Sequence, residues 1–162
     1  MEEKFKSLPL RSGVGIVVLN KNNNKVFVAK RIDNPKEFWQ MPQGGVNDGE
    51  DYLKAAYREL KEETSIQNVK LIKELDGTTI YELPERLLGI IWKGKYRGQI
   101  QKWFLMRFTG EEKEINIKTK NPEFLDWKWI EIENITEAVV DFKKRIYEKL
   151  KKELEKLLIE GF

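Results

Sequence analysis

The chain has 162 residues, 35% of them charged, and its formal net charge at neutral pH is only +3. That length suits one domain with a buried core, and the near balance of charge argues against a protein that binds nucleic acid by bulk electrostatics. Because the sequence contains no cysteine and no histidine, any acid–base or metal chemistry depends on carboxylates, lysine and tyrosine.

The N-terminal sequence MEEKFKSLPLRSG lacks the apolar run of a signal peptide. No segment has the uninterrupted apolar length that a membrane span requires. We therefore expect a cytoplasmic protein with no membrane partner. The charge balance also leads us to expect no DNA partner.

The first half of the chain begins with two predicted strands. GVGIVVL (13–19) is a continuous apolar run, and VFVAKR (26–31) follows after the turn-like KNNNK, so the pair is predicted to form a hairpin. Residues 31–49 hold both proline and glycine and are predicted to be irregular. A helix is predicted next, because apolar residues recur there at helical spacing. Its apolar stripe consists of Leu53, Ala56, Tyr57 and Leu60.

The second half returns to strand-like segments, namely NVKLIKEL, TTIYEL, QKWFLMRF and DWKWIEI. PERLLGIIWKGKYRGQIQ lies among them as a long excursion, predicted to contain a strand of its own. From about Asn134 a helix is predicted, with a stripe that includes Val139, Phe142 and Ile146. We expect this helix to pack on the sheet of a monomer; a dimerising coil is the alternative, but few heptads are present. Strands mixed with two helices predict an α/β sandwich, an α+β arrangement around a mixed sheet.

Three carboxylates cluster near the end of the first predicted helix, just after the glycine-rich stretch QGG. Glu59, Glu62 and Glu63 lie at spacings of three and four residues, so they are neighbours that repel one another. They also lie near the helix C-terminus, where the helix dipole disfavours anions. The arrangement is either a solvated acidic face, partly neutralised by Arg58 and Lys61, or a site for a hard divalent cation such as Mg²⁺.

The stretch from Gly44 to Ile66, GGVNDGEDYLKAAYRELKEETSI, resembles the Nudix box. The matching residues are Gly44, Glu50, Arg58, Glu59, Leu60, Glu62, Glu63 and Ile66. One position departs from the box, which expects glycine where this chain has Ser65. Glycine there would suit a left-handed residue that ends the helix, and serine adopts that conformation at a cost of about 1 kcal/mol.

The resemblance extends over WQMPQGG, QKWFL, NPEFLDWKW and VVDFKKRIY, and it is closest to the bacterial RNA pyrophosphohydrolase branch of the family, also described as dinucleoside polyphosphate hydrolases. It implies a Nudix domain over residues 8–153, with 154–162 as the end of the last helix and a tail. It also implies the Nudix fold, an α/β/α sandwich with a C-terminal helix, and hydrolysis dependent on Mg²⁺, with Mn²⁺ as a possible substitute.

The resemblance implies catalytic roles for five side chains and one carbonyl group. Glu59, Glu62, Glu63 and Glu123 would hold the metal, and Gly45 would add its carbonyl oxygen. Arg58 would pair with Glu50 or with a metal-binding glutamate and orient it. Without histidine, a carboxylate must accept the proton of the attacking water unless the metal alone activates it. Without the resemblance, the simpler interpretation of Glu123 is a solvent-exposed surface residue with no functional role.

Substrate-binding candidates are cations and aromatic rings. Arg11, Lys30, Arg31 and Lys102 can face phosphates, with Arg31 ranked first because it ends a strand just before the glycine-rich loop. Gln43 belongs to that loop. Tyr81 and Phe142 are candidates for stacking on a base, as the resemblance implies for Phe142, although a core role remains open for it.

The resemblance implies an enzyme that removes pyrophosphate from 5′-triphosphorylated RNA and leaves a 5′-monophosphate. Hydrolysis of dinucleoside polyphosphates is the alternative within the same class, because it needs the same metals and the same base platform. A non-catalytic nucleotide-binding module is a third and remote alternative. Such a descendant would be free to lose one of the three box glutamates, and all three are present here.

Overall fold

The computed structural model describes residues 7–33 and 38–161, which form one mixed eight-stranded sheet and three α-helices. The strands are β1 (Leu10–Leu19), β2 (Lys25–Arg31), β3 (Trp39–Gln40), β4 (Gln43–Gly45), β5 (Val69–Glu74), β6 (Thr79–Glu82), β7 (Gly98–Phe108) and β8 (Phe124–Glu131). The helices are α1 (Tyr52–Thr64), α2 (Ile135–Ala138) and α3 (Lys144–Glu160).

The sheet is built around two long central strands. β1 and β7 run parallel, in register from Leu10 opposite Gly98 to Leu19 opposite Arg107, and the other pairings are antiparallel. The main order is β3-β2-β1-β7-β5, with β4 paired to β1, β6 to β7 and β8 to β2. β1 and β2 form the predicted hairpin, and the prediction of a mixed sheet is confirmed.

Strand β1 is buried on both faces, which explains its unbroken run of apolar residues. Val14, Ile16 and Val18 belong to the apolar core that includes Ala56 and Leu60 of α1. Val17 and Leu19 belong to the core on the opposite face, together with side chains of α3. The sheet is thus covered by helix on both faces, and the predicted sandwich is confirmed.

Helix α1 begins and ends with identifiable caps. The Asp51 side chain accepts a hydrogen bond from the Lys54 N–H (3.1 Å), and Ser65 closes the helix in the left-handed conformation (φ 67°, ψ 5°). The Ser65 hydroxyl also donates to the Asn116 carbonyl oxygen (2.8 Å). The predicted apolar stripe is wrong at Tyr57, which is 38% exposed, whereas Ala55 is buried instead.

Two predictions for the connecting segments are wrong. Residues 31–49 are not wholly irregular, because β3 and β4 pair with β2 and β1 across the glycine-rich stretch; residues 34–37 lie outside the described residues. The excursion after β6 has no strand of its own, because GQIQ is the beginning of β7 and continues directly into QKWFLMRF. Residues 84–97, all of them described, contain two short 3₁₀ turns.

The prediction of one continuous helix from Asn134 is also wrong. Helix α2 ends at Ala138, and Val139 and Val140 are extended (ψ 155° and 148°) before a 3₁₀ turn over Asp141–Lys143 leads into α3. Phe142 therefore lies on this turn and not on a helical stripe. Helix α3 runs on past residue 153, and Leu154 in that part is fully buried. Phe162 lies outside the described residues.

Candidate active site

A cleft of about 710 Å³ is lined by residues of β4, of α1 and of the turn that precedes α3, among others. Its walls combine carboxylates of α1, cations of β1 and β2, and aromatic and aliphatic side chains of β6, the following loop and the turn before α3. Its lining includes Arg11, Arg31, Asp33, Gln43, Gly44, Gly45, Glu59, Glu63, Tyr81, Trp92, Glu123, Phe142 and Lys143.

Arg58 connects the other polar groups of the Nudix-box segment through its hydrogen bonds. Its guanidinium makes a two-pronged contact with Glu50 (2.8 and 2.9 Å) and also donates to Glu59 (2.9 Å) and Glu62 (3.2 Å). A further N–H donates to the Gly45 carbonyl oxygen (2.8 Å). Arg58 thus pairs with both kinds of partner that the sequence suggested, and its hydrogen bonds to Glu50 lower the pKa of that carboxyl to about 2.

The glycine-rich strand β4 brings its backbone directly against α1. A Cβ atom at Gly44 would collide with the Glu59 carboxylate, and one at Gly45 would collide with the Arg11 guanidinium. A side chain at either position would have to displace these groups, so glycine lets β4 approach them closely. Strand β4 therefore carries the Gly45 carbonyl to the edge of the carboxylate cluster.

Glu59, Glu63 and Glu123 form the acidic part of the cleft. Glu63 is only 4% exposed, and its Oε2 atom has no hydrogen-bond partner among the described residues. Burial raises the pKa of Glu63 well above its usual value, and the nearby charges of Glu123 and Glu59 raise it further. Burial likewise raises the pKa of Glu59, although Arg58 opposes the change. A buried, unpaired carboxylate oxygen beside other carboxylates matches the oxygen ligands that a hard divalent cation takes.

Among residues 7–33 and 38–161, no three acidic side chains are already arranged around a single ion position. Arg58 explains part of this, because it occupies Glu59, Glu62 and the Gly45 carbonyl at the same time. The Glu62 side chain is 59% exposed and, unlike Glu59 and Glu63, does not line the cleft.

The predicted phosphate-binding cations divide into two groups. Arg11 and Arg31 line the cleft, and Arg31 is held by a two-pronged ion pair with Asp33 (2.8 and 2.9 Å). Lys30 and Lys102 are not among the lining residues; the Lys102 ammonium lies near the Gly77 carbonyl (3.5 Å) and Glu74 (3.8 Å). The structure therefore brings together two of the four cations.

The predicted aromatic residues do come together. The Tyr81 and Phe142 rings lie 5.7 Å apart at 45°, and both line the cleft. Tyr81 is buried, and its hydroxyl accepts a hydrogen bond from the Gln43 side chain (3.3 Å) and donates to Gln99 (3.4 Å). Gln43 thereby links the glycine-rich strand to the aromatic pair.

Sequence reasoning missed Lys143 and Trp92. Lys143 is 6% exposed, donates to Gln40 (3.3 Å) and lies over the Tyr81 ring (5.1 Å). Burial, and to a lesser extent the positive charge of Arg31, lower its pKa to about 7. In sequence Lys143 is one of several lysines before a helix, and only the break at Val139–Val140 distinguishes it. Trp92 belongs to the excursion, where it ends the apolar run LLGIIW just before the polar, glycine-containing KGKYRG, and that position was the available signal.

Comparison with known proteins agrees with this geometry. The NUDIX domain model matches residues 9–150. An RNA pyrophosphohydrolase of Pelagibacter ubique is 69% identical over 98% of this chain and 99% of its own length. One of Rhodospirillum rubrum is 47% identical over 91% of this chain and 88% of its own.

Solved structures show the same fold. The E. coli dihydroneopterin triphosphate pyrophosphohydrolase has a TM-score of 0.71 at 23% identity, covering 94% of this chain and 99% of its own. A C. elegans Ap4A hydrolase has a TM-score of 0.65 at 23% identity, covering 90% and 98%. Within the described residues, no helix is long and apolar enough to cross a membrane. The family model covers most of the chain and the curated relatives match over nearly their whole length, so this chain belongs to the Nudix family.

Proposed function

We propose that this chain is an RNA pyrophosphohydrolase, which removes pyrophosphate from 5′-triphosphorylated RNA and leaves a 5′-monophosphate. One observation carries the proposal: a single cleft joins buried carboxylates, arginine side chains and an aromatic pair. Those are the groups that a metal ion, a polyphosphate and a base require. The names and high identity of the Pelagibacter and Rhodospirillum relatives support the same assignment.

Nudix hydrolases depend on divalent metal ions, and we propose Mg²⁺ here, with Mn²⁺ as a substitute. The proposed ligands are the carboxylates Glu59, Glu62, Glu63 and Glu123 and the carbonyl oxygen of Gly45. The unpaired Oε2 of Glu63 supports this donor set, because a cation would remove the cost of burying that charge. Such an ion, when bound, neutralises polyphosphate charge and makes water a better nucleophile.

The chain's own residues would bind, orient and accept a proton. Arg11 and Arg31 face the cleft and can neutralise the triphosphate, with Lys143 as a third cation at its inner end. Arg58 fixes the Glu59 carboxylate and the Gly45 carbonyl relative to each other. Water attacks a phosphorus atom, one phosphoanhydride bond breaks, pyrophosphate leaves, and a carboxylate of the cluster takes the proton from the water.

The aromatic half of the cleft would hold the nucleotide. Phe142 and Tyr81 present rings to the cleft, and stacking on a base is worth about 1–3 kcal/mol. We propose that the protein acts as a monomer, because the apolar side of α3 packs into the core of its own chain. A cytoplasmic location follows from a substrate that is newly made RNA.

Dinucleoside polyphosphate hydrolysis is the second candidate, because the same carboxylates and the same aromatic pair would serve a second adenosine. Steady-state kinetics decide between the two. We expect kcat/KM to be highest for a 5′-triphosphorylated RNA oligonucleotide and lower for diadenosine tetraphosphate and ATP. A preference for diadenosine tetraphosphate over RNA would replace the first candidate with the second.

Metal dependence is tested in the same assay. Excess EDTA should abolish turnover, and Mg²⁺ or Mn²⁺ should restore it. Full turnover in EDTA would remove the metal from the proposal, and no turnover on any of the substrates with metal present would contradict the enzyme assignment itself.

A further inference from the structure

The segment between β6 and β7, residues 84–97, forms a closed loop at the rim of the cleft. The Leu83 N–H donates to the Arg97 carbonyl (2.7 Å), so the two ends of the loop meet. The Arg97 N–H donates to the Pro9 carbonyl (3.1 Å), two residues before Arg11. Compact loops of this kind are frequently functional. The loop is thereby tied to the strand that carries a proposed phosphate-binding cation.

Trp92 is held on this loop by strained backbone. Trp92 (φ 55°, ψ 37°) and Lys93 (φ 58°, ψ 27°) are both left-handed, and the Lys95 N–H donates to the Trp92 carbonyl (3.2 Å) to close the turn. Residues other than glycine avoid the left-handed region because of steric strain. Such strain persists where the surrounding structure fixes the conformation, often at ligand clamps. The fold thus holds the Trp92 side chain in the cleft at a cost.

The Arg11 guanidinium lies between Trp92 and the glycine-rich strand. Its central carbon is 5.3 Å from the centre of the Trp92 ring, a cation–π distance. Its other neighbour is Gly45, where any Cβ atom would collide with the guanidinium. The Gly45 carbonyl accepts a hydrogen bond from Arg58, whose guanidinium also donates to Glu59, so Arg11 lies close to the carboxylate cluster.

We propose that Trp92 is a positioning residue that holds the Arg11 guanidinium at the polyphosphate end of the cleft. This inference rests on the proposed function, in which Arg11 binds phosphate. The Trp92 ring also lies 6.5 Å from the Tyr81 ring, but the guanidinium already packs on the indole. Trp92 therefore acts on phosphate binding through Arg11, whereas Phe142 acts on the base.

Inorganic tripolyphosphate is the probe that separates these roles, because it carries phosphates and no base. Its inhibition constant is measured against RNA hydrolysis for wild type, Trp92→Leu, Trp92→Phe, Arg11→Met and the Trp92→Leu/Arg11→Met double variant. Ile90→Ala, at an exposed position of the same loop, is the matched control. Melting temperatures of all variants are recorded alongside.

A cation–π contact corresponds to about 2- to 30-fold in an equilibrium constant, and we expect Trp92→Leu to weaken tripolyphosphate binding by that factor. Trp92→Phe keeps an aromatic face and should recover most of the affinity, and Ile90→Ala should match wild type. In the Arg11→Met background, Trp92→Leu should cost little more, because Arg11→Met already removes the cation–π contact through which Trp92 acts.

Three results would overturn the inference: unchanged tripolyphosphate binding in Trp92→Leu, equal losses in Trp92→Phe and Trp92→Leu, or additive losses in the double variant. Unchanged tripolyphosphate binding with weakened RNA binding would make Trp92 a base platform instead. Failure of the proposed function looks different, since the wild-type protein would then hydrolyse none of the substrates.

Discussion

The carboxylate half of the cleft and its aromatic half are assembled in different ways. Arg58 and its carboxylate partners come from one continuous stretch, in which a glycine-rich strand leads into one helix. Tyr81, Trp92 and Phe142 come from a strand, a strained loop and a turn between two helices. The carboxylate half is thus mostly local in sequence, with Glu123 as its distant member, whereas the aromatic half is built from distant segments that meet only in the folded chain.

The two halves also differ in how completely their side chains are paired or packed. In the carboxylate half, the buried Oε2 atom of Glu63 has no hydrogen-bond partner among the described residues, so a bound cation would lower the cost of burying this carboxylate. In the aromatic half, rings contact one another and Lys143 packs over two of them. A metal should therefore act mainly on the first half, and a base mainly on the second.

The largest effect should come from Glu63→Gln, which keeps the shape of the side chain and removes its charge. We expect kcat to fall roughly 1000-fold or more on every substrate, because the lost ligand acts on the transition state. Without metal, the variant should melt higher than wild type, since a buried charge is gone. Steady-state kinetics and thermal melts measure the two effects.

Glu148→Gln, an exposed change on α3, is the control for Glu63→Gln and should leave both readouts unchanged. Addition of Mg²⁺ should raise the melting temperature of wild type but have little effect on Glu63→Gln, because binding to the folded state stabilises it by mass action. An equal rise in both proteins would place the ion elsewhere.

Phe142→Ala should weaken base binding in the aromatic half and leave the carboxylate half unaffected. Loss of a stacking face worth about 1–3 kcal/mol predicts a fall in kcat/KM of roughly 5- to 150-fold for RNA and for diadenosine tetraphosphate. The inhibition constant of tripolyphosphate should stay near its wild-type value. Weakened binding of all three in a variant that melts normally would mean that Phe142 does not read the base.

Helical spacing alone predicted that Glu59 and Glu63 lie on one face, because a helix places residues three and four apart side by side. It did not predict that Glu62 stays outside the cleft lining, and Glu123 was indicated only by the family resemblance. The mixture of strands and helices likewise predicted a sandwich, whereas helices on both faces of the sheet were implied by the resemblance. The sequence did not predict the break at Val139–Val140, because apolar spacing alone continues the helix through it. That break turns Phe142 and Lys143 into the cleft, so the burial of Lys143 could not be predicted from periodicity. On α1, periodicity likewise did not predict the exposure of Tyr57.

Lys143→Met tests the cost of placing a cation in the aromatic half. The folded pKa of about 7 lies below the value of about 10.4 for an exposed lysine, so the unfolded chain binds more protons between these pH values. The cost to stability is therefore complete below pH 7 and disappears as pH rises towards 10. We expect Lys143→Met to raise the melting temperature at pH 6 by roughly 2–10 °C, and to have little effect near pH 10.

Lys144→Met, on the next and exposed residue, is the matched control and should show no such pH dependence. Thermal melts across pH 6–10 measure the difference between the two variants. A gain for Lys143→Met that is the same at every pH would mean that its charge costs the folded state nothing.

The smallest effect is expected at Ser65, where the chain departs from its family at the end of α1. The left-handed backbone of Ser65 costs about 1 kcal/mol relative to glycine, but its hydroxyl donates to Asn116 (2.8 Å), a bond worth about 0.5–1.5 kcal/mol. Ser65→Gly removes both terms together, so its free energy of unfolding should stay within about 1 kcal/mol of wild type. Ser65→Ala removes only the bond and keeps the strain, so it should be the less stable variant by about 1 kcal/mol. That order reverses the usual advantage of alanine over glycine near a helix.

Denaturant melts of the Ser65→Gly and Ser65→Ala variants measure this order of stability. An alanine variant more stable than the glycine variant would show that the left-handed residue carries no strain. Hydrolysis should be unchanged in both, because Ser65 lies outside the cleft lining and touches none of the proposed metal ligands.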